Sequence, residues 1–216
     1  VAKAKAIKYV LENERLYINE HDYFVGMYSL NRLASKITSK KWNQEVYNDI
    51  RKPESVQLEH NFNESGAVNI WPDYDHVVPD WDSLMRLGFK GIKERAVKYK
   101  NAHPANGTLT KDEEAYFEGI DIEYGAIIDV IDRMYRLALT KKHAKAKKIV
   151  SCLKQLRDGA PTNIYEAMQL IYIYFIISES IDNYQVRSLG NGLDNTLYAF
   201  YKNDLANGTF TRDEIK

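Results

Sequence analysis

A chain of 216 residues holds one or two domains' worth of material, and 44% hydrophobic residues are enough to build a substantial core. Thirty basic residues balance thirty acidic ones, which leaves no electrostatic footprint for nucleic acid or an acidic membrane surface. The single cysteine, Cys152, excludes an internal disulfide framework and any all-cysteine metal site, and a reducing, cytoplasmic setting follows.

Helical spacing dominates the chain from its start. A first helix is predicted from Val1 to about Ile18, followed by a short strand at Tyr23-Phe-Val25 and a second helix over Ser29 to Ile50. From Lys52 to Pro79 the pattern breaks into a loop rich in Pro, Asn, Asp and Gly that carries His60, Trp71 and His76. A loop of that length is usually functional or disordered; Trp71 and Trp81 near its end favour a packed, functional one. Trp81 to Lys100 reads as the next helix. Thr110-Lys-Asp-Glu113 is a capping box, with Asp112, Glu113 and Glu114 at the positive end of the dipole. Beyond it Phe117, Ile120, Tyr124, Ile127, Ile128, Ile131, Met134, Tyr135 and Ala138 form a wide apolar stripe.

Further helices are expected over His143 to Leu156 and Thr162 to Ile181, and a shorter one over Asn195 to Asn207. The basic cluster Lys141 to Lys148 reads as a solvated helix face. The apolar run Leu170 to Ile177 falls well short of the roughly 18 residues that a membrane span needs, and its polar neighbours Glu166, Gln169 and Glu179 suit a helix buried on most sides. Gln185 to Leu189 alternates like a strand and is bounded by Gly190-Asn-Gly192. Two similar words, Ala105 to Glu113 and Ala206 to Glu214, share a local device rather than a repeat: Asn-Gly ends one element and Thr caps the next. After Thr211-Arg-Asp-Glu214 the chain ends within two residues. With Val in first place, that ending reads as a piece of something longer. No export leader is expected.

Chemistry concentrates at Ser188-Leu-Gly-Asn-Gly-Leu-Asp194, where a hydroxyl, two glycines and a carboxylate fall within seven residues. Glycines allow a sharp turn or close backbone approach, and a Ser and Asp at a strand end can hold a polar substrate. The plainer alternative is a turn between strand and helix with Asp194 as the N-cap. His76 is open in the same way, as a substrate partner or as a surface loop histidine. There is no Gly-rich phosphate loop, no His-Glu-two-residue-His helix and no Glu-two-residue-His pair.

The last quarter resembles a block found in glycyl radical enzymes, the superfamily of pyruvate formate-lyase and the diol and choline lyases. The family phrase runs Ser-hydrophobic-Gly-Arg-Leu-Asp-Gln, then Leu-Tyr-Pro-Phe-Tyr, two residues, Asp-Leu, two residues and Gly. Leu193-Asp194-Asn195, Leu197-Tyr198-Ala199-Phe200-Tyr201, Asp204-Leu205 and Gly208 follow it, and Tyr165-Glu-Ala-Met-Gln169 is similar to the family's Phe-Glu-Ala-Leu-Gln behind a Pro. Upstream, His76-Val-Val-Pro-Asp-Trp-Asp-Ser-Leu84, Gly88-Phe-Lys-Gly-Ile92, the helix from Tyr116 and, more weakly, Asp22-Tyr-Phe-Val-Gly26 resemble family elements in the same order. Two departures stand out. Asn191-Gly192 replaces Gly-Arg with one residue extra after Ser188, leaving the register of Ser188 against Asp194 open by one, and Ala199 replaces Pro.

The resemblance implies a mainly α chain with a few strands, the helical N-terminal part of the glycyl radical enzyme α/β barrel: a helical layer over 1–158 and the first barrel elements over 159–216. It implies a lyase, dehydratase, decarboxylase or formate acetyltransferase-like enzyme that acts on a small polar metabolite, anaerobically, by thiyl-radical hydrogen abstraction. His76, Gln185, Ser188 and Asp194 are the substrate contacts it implies, with no catalytic residue and no metal in this chain. Cys152 sits in a helical apolar stripe rather than in the family's short radical loop, and none of the eleven glycines lies in an Arg-Val-Ser/Ala-Gly-Tyr-like phrase. No cofactor is expected to bind here; the parent would carry a glycyl radical installed by an S-adenosylmethionine iron-sulfur activating enzyme. The expected partners are that activating enzyme, a small-molecule substrate and a second copy in a homodimer, with no nucleic acid and no membrane. The alternative is a stand-alone helical scaffold or interaction module that keeps the fold without the catalysis.

Overall fold

A computed structural model of the protein describes residues 1–28, 51–66, 78–103, 108–181, 189–190 and 192–216. Its elements are α1 (Ala2–Asn13), β1 (Leu16–Tyr17), β2 (Gly26–Met27), α2 (Pro53–Ser65), α3 (Trp81–Ala102), α4 (Lys111–Leu139), α5 (Ala146–Asp158), α6 (Ile164–Ile181), α7 (Leu193–Asn207) and α8 (Arg212–Ile215). The described part is mostly helical, and β1 and β2 pair antiparallel with Leu16 opposite Met27.

The long helix α4 is the axis of the packing, with α1, α3 and α5 laid against it. Its start is fixed by the expected capping box: Thr110 Oγ1 accepts from the Glu113 N–H at 3.3 Å, and Glu113 Oε2 accepts from the Thr110 N–H at 2.7 Å. Along the stripe, Ala126, Ile127, Val130, Ile131, Met134 and Ala138 are buried. The first helix, α1, runs parallel to α4: Gly119 lies beside Val1 and Ala4, while Arg133 donates to the carbonyls of Leu11 at 2.6 Å and Glu14 at 2.7 Å. That guanidinium closes the last turn of α1, and the helix stops at Asn13 rather than near Ile18.

Amphipathic spacing also places α5, which buries Ala146, Ile149, Cys152, Leu153 and Leu156 while Lys147, Lys148 and Lys154 face outward. Leu170, Ile173, Ile176 and Ile177 of α6 are buried as well, and Ile171, Tyr172, Tyr174 and Phe175 are partly covered. Each fully buried aliphatic side chain contributes about 1.5 to 3 kcal/mol of transfer free energy, so the contiguous cluster across α1, α3, α4, α5 and α6 dominates the stability.

Two further expectations are corrected. Residues 53–65, read as loop, form α2, with Pro53 in the first turn and Gly66 as C-cap. The helix has no buried residue, so it shows no core stripe in the sequence. The strand expected at Tyr23 to Val25 lies just after it, at Gly26–Met27. At the end of the chain the second capping box forms and carries one helical turn, Arg212–Ile215. Of the strand expected over Gln185 to Leu189, only Leu189 is described; residues 185–188 lie outside the described residues. The helix expected over 29–50 lies outside the described residues.

Candidate functional site

The N-terminal end of α3 and the start of α7 are brought together by two contacts. Trp81 opens α3 with Asp80 as N-cap, whose Oδ1 accepts from the Ser83 N–H at 3.0 Å. That bonding holds the Asp80 carboxyl below the usual carboxylate range. The Trp81 side chain is buried, set edge-on to Tyr174 with ring centroids 5.4 Å apart and tilted against Phe175 at 5.9 Å. Its Nε1–H donates to the Leu189 carbonyl at 2.8 Å. Next in the chain, Gly190 has φ 69° and lies against Val78 so closely that a Cβ would fall 2.2 Å from Val78 Cγ1. The dihedral favours glycine, and any side chain there would have to displace that of the half-exposed Val78.

Downstream, Gly192 is the N-cap of α7 and Leu193 is buried beneath the helix start. Asp194 is therefore not the N-cap. It occupies the first turn of α7, exposed, where a negative charge suits the helix dipole. Of the four residues assigned to substrate, Asp194 is the one described; His76, Gln185 and Ser188 lie outside the described residues. The described residues flanking two of those positions do meet: Val78 touches Gly190, and Trp81 bonds Leu189.

The other end of the α6–α7 pair is fixed by carboxylates. Asp204, 2% exposed, accepts from the Ile164 N–H at 2.7 Å and so satisfies one of the open donors at the start of α6. Asn163 Oδ1 accepts from the Glu166 N–H at 3.0 Å, and the buried Glu166 carboxylate accepts from the Thr162 N–H at 2.7 Å and its hydroxyl at 2.8 Å. Because Asp204 meets Ile164, α6 and α7 form an antiparallel hairpin with Ile181 and Leu193 at its far end. Sequence reasoning missed these caps. Asn163 with Glu166 three residues on is a legible capping signal, whereas nothing local announces that Asp204 serves a helix start 40 residues upstream.

The turn before β2 is docked on the same hairpin. Gln169 Oε1 accepts from the buried Val25 N–H at 3.0 Å, Tyr165 donates its hydroxyl to the Tyr23 carbonyl, and Lys145 donates to the His21 carbonyl at 2.9 Å with its ammonium 3.4 Å from the Tyr23 ring centroid. Cys152 lies in the α5 core, 2% exposed; burial, with a smaller contribution from the Glu166 carboxylate, pushes its thiol far above the ordinary range. It has neither the access nor the acidity of a reactive thiol.

The pyruvate formate lyase-like family model matches residues 36–216. Three solved structures share the fold. One is described for 1,2-propanediol dehydration in Roseburia inulinivorans (18% identity, TM-score 0.70, 98% of this chain and 32% of that one). Another is a glycyl radical enzyme from Archaeoglobus fulgidus (19%, 0.70, 98% and 33%). The third is the glycerol-bound B12-independent glycerol dehydratase from Clostridium butyricum (18%, 0.63, 93% and 32%). The chain thus spans about a third of the length of each. None of the curated protein sequences is significantly similar to it.

Proposed function

This chain belongs to the pyruvate formate lyase-like family, and from that premise we propose that it is the N-terminal third of a glycyl radical enzyme, a lyase that dehydrates a small polyol. The observation that carries the reading is the pair of contacts Val78–Gly190 and Trp81–Leu189, which joins the chain beside His76 to the chain beside Ser188. Those are the two stretches to which the resemblance gives substrate contacts. The radical residues do not fit this chain. Cys152 is buried in a helix, and no glycine stands in the required phrase, so the rest of the protein would supply both. Supplied there, a thiyl radical would abstract a hydrogen atom from the substrate.

What this chain contributes is placement. The Asp194 carboxylate accepts a hydrogen bond from a substrate hydroxyl, Ser188 can donate or accept, Gln185 offers an amide, and His76 adds an imidazole. Together they orient one C–H bond toward the radical site, a positioning effect rather than acid–base catalysis. The homodimer, the activating enzyme as partner and the anaerobic, cytoplasmic setting belong to the same proposal. Among the described residues, no helix is long and apolar enough to cross a membrane.

The test is to prepare the complete protein anaerobically with a radical S-adenosylmethionine activating enzyme. Electron paramagnetic resonance should then show a protein-based glycyl radical, with 1,2-propanediol or glycerol converted to an aldehyde. Ser188→Ala and Asp194→Asn should raise KM or lower kcat while the radical signal and the fold persist. Absence of both radical and turnover would overturn the reading. It would favour a helical interaction module instead, for which one observation speaks: α2 buries no residue and exposes Val56, Leu58 and Phe62.

A further inference from the structure

We propose that Trp81 is a positioning residue that sets the approach of the chain into α7, and through it the placement of Asp194. As a core residue alone, Trp81 would need only neighbours for its ring. Its ring already has aromatic neighbours in Tyr174 and Phe175, so phenylalanine would serve for packing. An indole N–H in such a place must find an acceptor or lose a hydrogen bond on folding. The acceptor it finds is not in the core. It is the carbonyl of Leu189, a residue 52% exposed, 108 positions along the chain.

Three features make that bond a hinge pin rather than an incidental contact. Gly190 follows with φ 69°, pressed on Val78, so the backbone direction is fixed immediately after the bonded carbonyl. Gly192, with φ 91°, is the N-cap of α7 and bonds the helix through no side chain of its own. The start of α7 therefore takes its position from the buried Leu193 and from the Leu189–Gly190 clamp. Trp81 in turn is held rigidly, since Asp80 caps α3 and Arg95 Nη1 donates to Ser83 Oγ at 3.0 Å, tying the first turn of α3 to the part of that helix beyond its kink at Gly88. The indole nitrogen thus ties the rigid core to the chain that leads into α7, beside the Val78–Gly190 contact and the buried Leu193.

The kinetic part of this proposal rests on the functional reading above; the structural part does not, and the experiment separates them. Trp81→Phe in the complete protein removes the N–H and keeps the ring. Hydrogen exchange followed by mass spectrometry should show peptides covering residues 189–195 exchanging about two- to tenfold faster, the loss of one hydrogen bond worth about 0.5 to 1.5 kcal/mol, with peptides of α4 unchanged. In the activated enzyme, KM for the polyol should rise several-fold with kcat nearly constant, the pattern of a contact made equally in the ground and transition states. Gly190→Ala attacks the same clamp from the other side and should reproduce both effects without touching Trp81. Unchanged exchange at 189–195, or faster exchange spread evenly through α4, would overturn the positioning role whatever the enzyme does. Faster local exchange with unaltered KM in an active enzyme would overturn the link to substrate.

Discussion

The kink in α3 offers the sharpest test of the packing. Gly88 interrupts the helix with φ 64° and ψ 176°, a region open essentially to glycine alone. A Cβ there would lie 2.4 Å from the Gly159 carbonyl oxygen, 2.8 Å from the Gly159 carbonyl carbon and 3.1 Å from Ala160 Cα, all backbone atoms that no rotamer change can move aside. Gly88→Ala therefore carries two penalties: about 1 to 3 kcal/mol for the dihedral and about 1 to 3 kcal/mol for forcing the α5–α6 connection outward. Set against the roughly 5 to 15 kcal/mol of a typical domain, a loss of about 4 kcal/mol is large, and at about 2 to 4 °C per kcal/mol for a chain of this size the melting temperature should fall by about 10 °C. Gly208→Ala is the comparison variant: Gly208 has φ 68° and ψ 22°, the left-handed helical region, with nothing within 4 Å of the place a Cβ would take, so it carries a smaller dihedral penalty and no clash. Thermal denaturation of the two variants side by side checks the argument. If Gly88→Ala melts within about 2 °C of Gly208→Ala, about 1 kcal/mol or less, the close approach to Gly159 is not a real constraint.

Two further outcomes are expected. Arg133→Ala removes two charge-assisted hydrogen bonds to the last carbonyls of α1 and should cost about 1.5 to 3 kcal/mol in chemical denaturation, with faster hydrogen exchange confined to α1; loss of protection throughout α4 instead would show that the guanidinium supports the core rather than the cap. The Glu113 carboxyl is lowered from 4.5 to about 2, chiefly by hydrogen bonds from the Thr110 backbone and hydroxyl and then by His103. The folded value lies below the unfolded one, so the stabilisation is fully present above pH 4.5 and is lost as pH falls toward 2. An NMR titration should place the Glu113 midpoint near the lower value, and Thr110→Ala, which removes the hydroxyl but keeps the backbone N–H, should move it part of the way up toward 4.5; an unmoved midpoint would refute the contribution of the hydroxyl.

Elements that bury a periodic stripe are legible in the sequence, and those that do not are hidden. The helices α3, α4, α5 and α6 show themselves because their apolar residues repeat at three and four positions over a shared core, and the Thr110 box marks a helix start to the residue. For α2 the signals are a proline and a glycine at its ends with no stripe between, and a Pro- and Asn-containing stretch without a stripe reads as loop. The overlong reading of α1 has a different cause. Its stop is imposed by Arg133, 119 positions beyond the Glu14 carbonyl it binds, and no local residue encodes it. The candidate site divides the same way. Asp194 stands out in the sequence with two roles open to it, and the structure removes the N-cap role because Gly192 takes that position. The Trp81–Leu189 bond is out of reach, since a side chain's partner 108 residues distant leaves no periodic trace.

Part of the phrase that carries the family resemblance is explained by architecture rather than chemistry. Asp204 is buried and bonds the start of α6, and Leu193 is buried beneath the start of α7. Tyr165, Glu166 and Gln169, from the other matched block, hold respectively the turn at Tyr23, the Thr162 loop and the Val25 amide. Each of these residues fixes the α6–α7 hairpin or what docks on it. Such residues specify the fold, and a fold hosts many activities. Under the proposed function, the substrate would be selected by the few groups that the hairpin presents at its far end without using them for structure. Asp194 is such a group: exposed, in a helix first turn, on a segment clamped by Trp81 and Val78. Exchanging Asp194 should therefore alter which hydroxyl compounds are accepted in a turnover assay across a panel of polyols, whereas exchanging Asp204 should unfold the hairpin before it changes any preference.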